Sequence, residues 1–366
     1  MSAGWRNCCV ANMPRTAVVL FNLGGPDNLD AVKPFLRNLF SDPAIIAAPA
    51  PIRWFLARWI SFRRARHARA IYEKIGGSSP IRLQTEKQAR ALEEALADLG
   101  QVKAFPCMRY WHPFSDQVAR AVADFAPDHV VLLPLYPQFS TTTSQSSIDD
   151  WRRAAKAAGL RAEERAVCCY ARDEGFVAAQ VALIAPMLRA AREEAGENGV
   201  RLLLSAHGLP KKIIARGDPY QWQVEQTCAA VVDGLDAAGF TDLDWSVCYQ
   251  SRVGPLEWIG PATEDEITRA GADGKAVVLA PVAFVSEHSE TLVELDIDYR
   301  RLAEEVGVGH YARVPTVGTQ KDFITGLAAL TRQALAWSDN GARCGDNDGQ
   351  RCCGEAFGAC GYGSIG

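Results

Sequence analysis

The chain has 366 residues, long enough for two domains with separate cores. Apolar residues make up 48%, charged residues 22%, and the net charge is −4, a globular composition that argues against disorder and against a nucleic-acid partner. No run approaches the roughly 18 consecutive apolar residues of a membrane span. The opening MSAGWRNCCVANMPRT lacks the basic start, apolar run and cleavage site of a signal peptide. The expected location is therefore cytoplasmic, with peripheral contact at the inner membrane left open.

After a loose start over residues 1–15, Thr16 to Leu20 is an apolar strand that runs into Asn22-Leu23-Gly24-Gly25-Pro26. Paired glycines after a strand can cradle a phosphate, but without the full dinucleotide fingerprint a tight turn is the expected reading, and no nucleotide cofactor. Residues 43–72 hold no acidic side chain. Arg53, Arg58, Arg63, Arg64, Arg66 and Arg69 interleave there with Trp54, Phe55, Trp59, Ile60 and Phe62. Such a mixture suits a membrane interface or a pocket for a flat, anionic, apolar ligand, against the plain alternative of a solvated helix. Gly76-Gly77-Ser78-Ser79-Pro80 breaks this pattern before an amphipathic helix over Ile81 to Leu99.

Further strands are expected over Val102–Tyr110, His129–Leu135, Arg165–Tyr170, Val200–Leu204, Leu243–Cys248 and Val277–Val285. Helices are expected over Asp149–Ala158, Gly175–Glu194, Tyr220–Ala238 and Lys321–Trp337. Strands alternating with helices argue for parallel sheets. VVLLPLYPQFSTTTS from Val130 aligns with VVLAPVAFVSEHSET from Val277, and AVVLFNLGGP from Ala17 with RLLLSAHGLP from Arg201. This faint duplication predicts two similar α/β domains, 16–160 and 161–337, with a cleft between their strand ends.

The buried run from Val277 ends in Ser286-Glu287-His288-Ser289-Glu290 and continues as a helix. On that helix Glu290, Glu294 and Asp298 fall within an arc of roughly 80° at α-helical spacing. His207 stands just past another strand end. Two histidines and several carboxylates at strand carboxyl ends suit a cation or a proton path, against the alternative of an acidic solvated face. Residues 338–366 have almost no large aliphatic side chains and cannot build a core, yet hold Cys344, Cys352, Cys353 and Cys360. The expectation is that ligation alone holds this tail against the body.

The ordered motifs FNLGGP, YEKIGGSSPI, MRYWHP, PLYPQFSTTTS, SAHGLP, YQSRVGPLEWIGP and SEHSETLVELDIDY resemble the ferrochelatases, enzymes that end haem synthesis by inserting Fe²⁺ into a porphyrin. The match spans Val18 to Trp337. The resemblance implies two doubly wound Rossmann-like domains of the chelatase type, each a four-stranded parallel sheet between helices, with protoporphyrin IX in the cleft. It puts His207 and Glu290 at the metallation centre and His288, Glu294 and Asp298 along a polar path for the metal. Tyr72, Arg109, Trp258 and Ser140 would line the porphyrin pocket, with residues 43–72 as its lip.

Some members carry a 2Fe–2S cluster with one mid-chain ligand and three near the C-terminus. Cys169 matches the first, and the tail cysteines supply the rest, although their spacing leaves open which three, and a Cys₄ zinc site is the runner-up. Coproporphyrin III as substrate, a non-catalytic metal or haem carrier, and a homodimer remain as alternatives.

Overall fold

The computed structural model describes residues 14–196, 199–252, 254 and 256–363. Most of the tail expected over residues 1–15, and part of the turn around residue 197, lie outside the described residues. The continuous Val, Leu and Ala runs form strands whose two faces are both covered. β1 (Arg15–Asn22), β2 (Gln101–Met108), β3 (His129–Pro134) and β4 (Glu163–Cys169) pair in parallel in the order β2-β1-β3-β4. β5 (Val200–His207), β6 (Asp244–Gln250), β7 (Ala276–Pro281) and β8 (Tyr311–Arg313) repeat that order as β6-β5-β7-β8. The side chains of Ala17, Val18, Val19 and Leu20 are all fully buried, which is why the sequence there does not alternate.

Helices cover both faces of each sheet. In the first lobe these are α3 (Ile81–Ala95), α4 (Ser115–Phe125) and α5 (Ser146–Ala157), while α1 (Val32–Ser41) and α2 (Ala50–Glu73) pack on each other beside the sheet. The second holds α6 (Glu174–Ala195), the short α7 (Lys211–Ile214), α8 (Tyr220–Ala237), α9 (Thr263–Ala272) and α10 (Tyr299–Glu305). α6 is long and apolar enough to cross a membrane by length and composition alone. Here it buries Ile184 and Leu188 against β5, β7 and α8.

The last helix, α11 (Lys321–Ala336), corrects the expected boundary. Its Phe323, Leu327 and Leu330 pack on Val18, Leu20, Val131 and Val167 of the first sheet. β4, expected in the second domain, is hydrogen-bonded to β3 in the first. The first lobe is thus built from both ends of the chain. Sequence order suggested a cut near residue 160, but burial decides lobe membership, and α11 finds its apolar partners on the first sheet.

The tail is a second correction. β9 (Ala342–Cys344) pairs in parallel with β4 and makes the first sheet five-stranded rather than four-stranded. Main-chain hydrogen bonds at a sheet edge need no apolar side chains, so ligation is not the only thing that docks this segment. Phe357 adds a ring contact with Trp222 of α8, centroids 5.5 Å apart.

A third difference concerns winding. Glu290–Asp298 forms a π-helical stretch with i→i+5 bonding, as does the shorter Thr141–Gln145 after β3. The wider turn buries Val293 and Leu295 and leaves Leu292 only half-buried.

Candidate active site

Three strand ends of the second sheet build the site. His207 is the last residue of β5, Gln250 the last of β6, and the loop after β7 leads into the π-helical stretch that begins at Glu290. Parallel register puts His207 opposite Gln250, so their successors emerge side by side at one edge. The His207 Nδ1 lies 3.0 Å from the Glu290 Oε2. Behind the histidine, the Tyr220 hydroxyl donates to the His207 carbonyl at 3.0 Å, which fixes the strand end. Gly208 allows close approach, because a Cβ there would stand 3.0 Å from the Gln250 carbonyl oxygen and 3.4 Å from the Trp258 indole. Trp258 is thereby packed beside the histidine, half-buried.

His288 is buried and places its Nε2 3.8 Å from the same Glu290 oxygen, while its Nδ1 sits 3.2 Å from the Ser286 carbonyl. Glu294, one step along, receives the Ser251 N–H at 2.8 Å and the Tyr299 hydroxyl at 3.1 Å. Asp298 ends the line at the surface, 3.0 Å from Lys74. The structure therefore brings together His207, Glu290 and His288, with Glu294 and Asp298 following outward on one element.

Electrostatics separate these groups. Burial disfavours the His207 imidazolium, but the Glu290 and Glu294 carboxylates outweigh it and hold the residue above its ordinary value. Burial likewise opposes the Glu290 charge, yet His207 and His288 hold that carboxyl well below the usual range. Glu294 is pushed up by burial and by the neighbouring Glu290 charge. One base and two carboxylates of opposite bias stand in a row, an arrangement that can accept protons and pass them on.

The other expected pocket residues are spread out. Tyr72, at the end of α2, is buried and 3.4 Å from the Ser289 hydroxyl, and burial pushes its phenol up to about 12. It joins the lip helix to the head of the π-helical stretch. Arg109 is paired with Asp42 at 2.8 Å and donates to Ser146 at 2.8 Å. It lines a hollow of about 500 Å³ in the first lobe, whose walls include neither His207 nor Glu290. Ser140 is fully buried and donates to Asp218 at 3.0 Å, so the porphyrin contact expected there gives way to a latch between lobes.

The lip itself turns outward. α2 buries the small residues Ala57 and Ser61, while Trp54, Phe55, Trp59 and Phe62 are each more than half exposed. Arg58 lies over the Trp54 ring at 3.6 Å.

A sequence model of the ferrochelatase family matches residues 15–335, nearly all of the described fold. The chain belongs to the ferrochelatase family. It is 56% identical over 325 residues to a ferrochelatase of Caulobacter vibrioides, covering 88% of this chain and 90% of that one. A ferrochelatase of Hyphomonas neptunium is 48% identical over 354 residues, covering 94% of each. Among solved structures, SirB from Bacillus subtilis with Fe³⁺ aligns at a TM-score of 0.49 and 12% identity, covering 88% of this chain and 96% of that one.

In this ferrochelatase-family chain the cysteines also converge. β4 and β9 set Cys169 opposite Cys344, with their sulfurs 3.5 Å apart. Cys344 is joined to Cys352 in a disulfide. Cys353 faces the other way from its neighbour. It is buried against Cys169 and Cys360 and accepts a hydrogen bond from the Gln223 amide at 3.1 Å. Contact with Cys169, together with burial, pushes the Cys353 thiol up to about 11, and contact with Cys168 raises Cys169 further. Six sulfurs gathered in one partly buried corner are chemically suited to a four-thiolate group, which would displace those protons on binding.

Sequence reasoning missed Ser251, Tyr220 and Lys74 as members of the site. Ser251 stands within the YQSRVGP motif, but nothing in composition or period marks a residue that acts through its backbone N–H. Tyr220 and Lys74 come from distant segments, brought in by tertiary packing alone.

Proposed function

We propose that the protein inserts Fe²⁺ into protoporphyrin IX to give protohaem, with the metallation centre at His207 and Glu290. The observation that carries this reading is the 3.0 Å pair between them at adjoining strand ends. Insertion requires two pyrrole N–H protons to leave and hydrated iron to lose its waters. In its neutral form His207 takes up pyrrole protons, and Glu290 stabilises the imidazolium that forms. Asp298, Glu294 and His288 offer oxygen and nitrogen ligands in sequence from the surface inward, a path on which Fe²⁺ exchanges water for protein donors. Trp258 and Tyr72 form the apolar walls that hold the macrocycle bent toward the metal.

The exposed indoles of Trp54 and Trp59, flanked by arginines, seat the lip on a bilayer from which a poorly soluble porphyrin is delivered. The protein then works in the cytoplasm at the inner-membrane surface. Cys169 and three of Cys344, Cys352, Cys353 and Cys360 hold a 2Fe–2S cluster, once the thiols of the disulfide are reduced. Bound there, such a cluster supplies a covalent tie between β4 and the tail. Convergence of the sulfurs supports this assignment, and zinc in their place would replace it.

The test is an anaerobic insertion assay with Fe²⁺ and either protoporphyrin IX or coproporphyrin III. Turnover of protoporphyrin, lost in folded His207→Ala, is the expected result. Preference for coproporphyrin would overturn the substrate, and haem binding without turnover would overturn the enzyme.

A further inference from the structure

The loop from Val282 to Glu287 carries the chain from β7 to His288 and Glu290, and the first lobe holds it by side-chain amides. Gln88 of α3 is fully buried. Its Nε2 donates to the Val285 carbonyl at 2.8 Å and to the Gly318 carbonyl at 2.9 Å, and its Oε1 accepts from the Ser286 hydroxyl at 3.1 Å. One turn earlier on the same helix, the half-buried Gln84 accepts from the Glu287 N–H at 2.7 Å. Beyond β3, the buried Gln138 donates to the Val282 carbonyl at 3.1 Å.

Plain packing between lobes does not require this pattern. The two α3 amides take hold of three consecutive residues, Val285 to Glu287, immediately before His288. The next contact in the series belongs to the imidazole, whose Nδ1 sits 3.2 Å from the Ser286 carbonyl. A carbonyl only accepts, so Nδ1 donates in this contact and Nε2 is left facing Glu290 at 3.8 Å. A shift of Ser286 is therefore passed directly to the imidazole, in the way that a partner behind a metal-binding histidine sets its ring orientation. Amides suit the task, because they pair with backbone N–H and C=O groups alike and add no charge beside the row of acids.

We propose that Gln84 and Gln88 are positioning residues for metal entry. From the first lobe they set the Ser286 carbonyl, and through it the direction in which the His288 Nε2 points. Neither glutamine touches a substrate; each acts through the histidine of the opposite lobe. The first lobe thus takes part in handling the metal by aiming a side chain that it does not itself carry. This inference rests on the reading of His288 as a station on the metal path.

The experiment measures steady-state insertion of Zn²⁺ into protoporphyrin, with the metal KM, the porphyrin KM, kcat and melting temperature recorded for each variant. Gln84→Met removes the acceptor of the Glu287 N–H, and Gln88→Met removes all three of its bonds with little change in side-chain length. Each should raise the metal KM about tenfold while the porphyrin KM stays unmoved. His288→Ala should raise the metal KM as well. Gln84→Met added to His288→Ala should raise it no further, because a positioning residue has no effect once the side chain it positions is gone. Where the fully buried Gln88→Met does not fold, Gln84→Met and Ser286→Ala carry the test. A parental metal KM in folded Gln84→Met would overturn the proposal. So would a parallel rise of both KM values, or an undiminished effect of Gln84→Met in the His288→Ala background. If His288→Ala itself leaves the metal KM unmoved, the reading of the metal path has failed and the positioning falls with it. If His288→Ala raises it and the glutamine variants do not, only the positioning has failed.

Discussion

Replacing Glu290 by Gln preserves shape while deleting one charge of the pair that organises the site. Coulomb attraction between unit charges 3.0 Å apart is gross roughly 5 kcal/mol at an effective dielectric constant of 20. Desolvation opposes much of this, and the His207 side chain is 35% exposed, so solvent screening reduces the net coupling to about 1–2 kcal/mol. The stability loss should thus be a few degrees of melting temperature. The chemical effect should be much larger, about 10²-fold or more in kcat, because the amide neither accepts a proton nor stabilises the imidazolium. The sign of the pH effect follows from the directions of the two shifts. His207 is held above its ordinary value by the carboxylates, so in the parent its base form appears only as pH rises through that raised value. With Glu290 neutral, burial gains weight against the imidazolium, and the acid limb of the rate profile should move to lower pH. Insertion rates measured across the pH range in parent and Glu290→Gln check both outcomes. A folded variant with a near-parental rate and an unmoved acid limb would refute the pairing.

Trp54→Ser with Trp59→Ser should weaken sedimentation with lipid vesicles while leaving the melting temperature nearly unchanged, since both indoles are more than half exposed. Gly208→Ala should depress insertion more than it depresses folding, because residue 208 is next in the chain to His207 and its new Cβ meets the Gln250 carbonyl and Trp258. Lys74→Met should lower the metal KM by freeing the outer carboxylate of Asp298, with little change in stability from so exposed an ion pair. Anaerobically purified protein should show red-brown absorption that disappears in Cys169→Ser, and a colourless preparation with full activity would remove the cluster.

Much of the fold was legible because the sheets are buried on both faces. The Val18–Leu20, Val200–Leu204 and Val277–Ala280 runs announce parallel strands by continuity alone, and the polar residues after them mark strand ends. That same logic reached His207, His288 and Glu290, which stand where apolar patterning stops. It could not reach β9, because three residues at a sheet edge carry no period and are held by main-chain bonds. Nor could it assign α11, an amphipathic helix that fits either lobe until packing selects Val18 and Val131 over β7. The π winding was hidden for a similar reason. Glu290, Glu294 and Asp298 share a face under either α or π geometry, and only the exchange of Val293 for Leu292 in the core distinguishes them. Ser251 was invisible because it reaches Glu294 through its backbone N–H, which no side-chain pattern marks.

The two lobes show how one scaffold comes to hold one reaction centre. The first four strands of the first sheet have the order of the second sheet's four, and in both lobes the third strand feeds a π-helical stretch. When Val130 is laid on Val277, Thr143 and Ser147 of the first lobe fall on Glu290 and Glu294 of the second. The first lobe therefore presents neutral hydroxyls where the second presents carboxylates. Its neighbouring Ser140 and Thr141 are spent on Asp218, which reaches across from the second lobe. The backbone geometry that collects functional groups at the strand ends is thus present twice, and side-chain charge separates the Asp218 latch of the first lobe from the row of acids in the second. The same π-helical turn that crowds hydroxyls around one buried aspartate in the first lobe lines up acids in the second. A hydroxyl at Glu290 would leave His207 without its counter-ion.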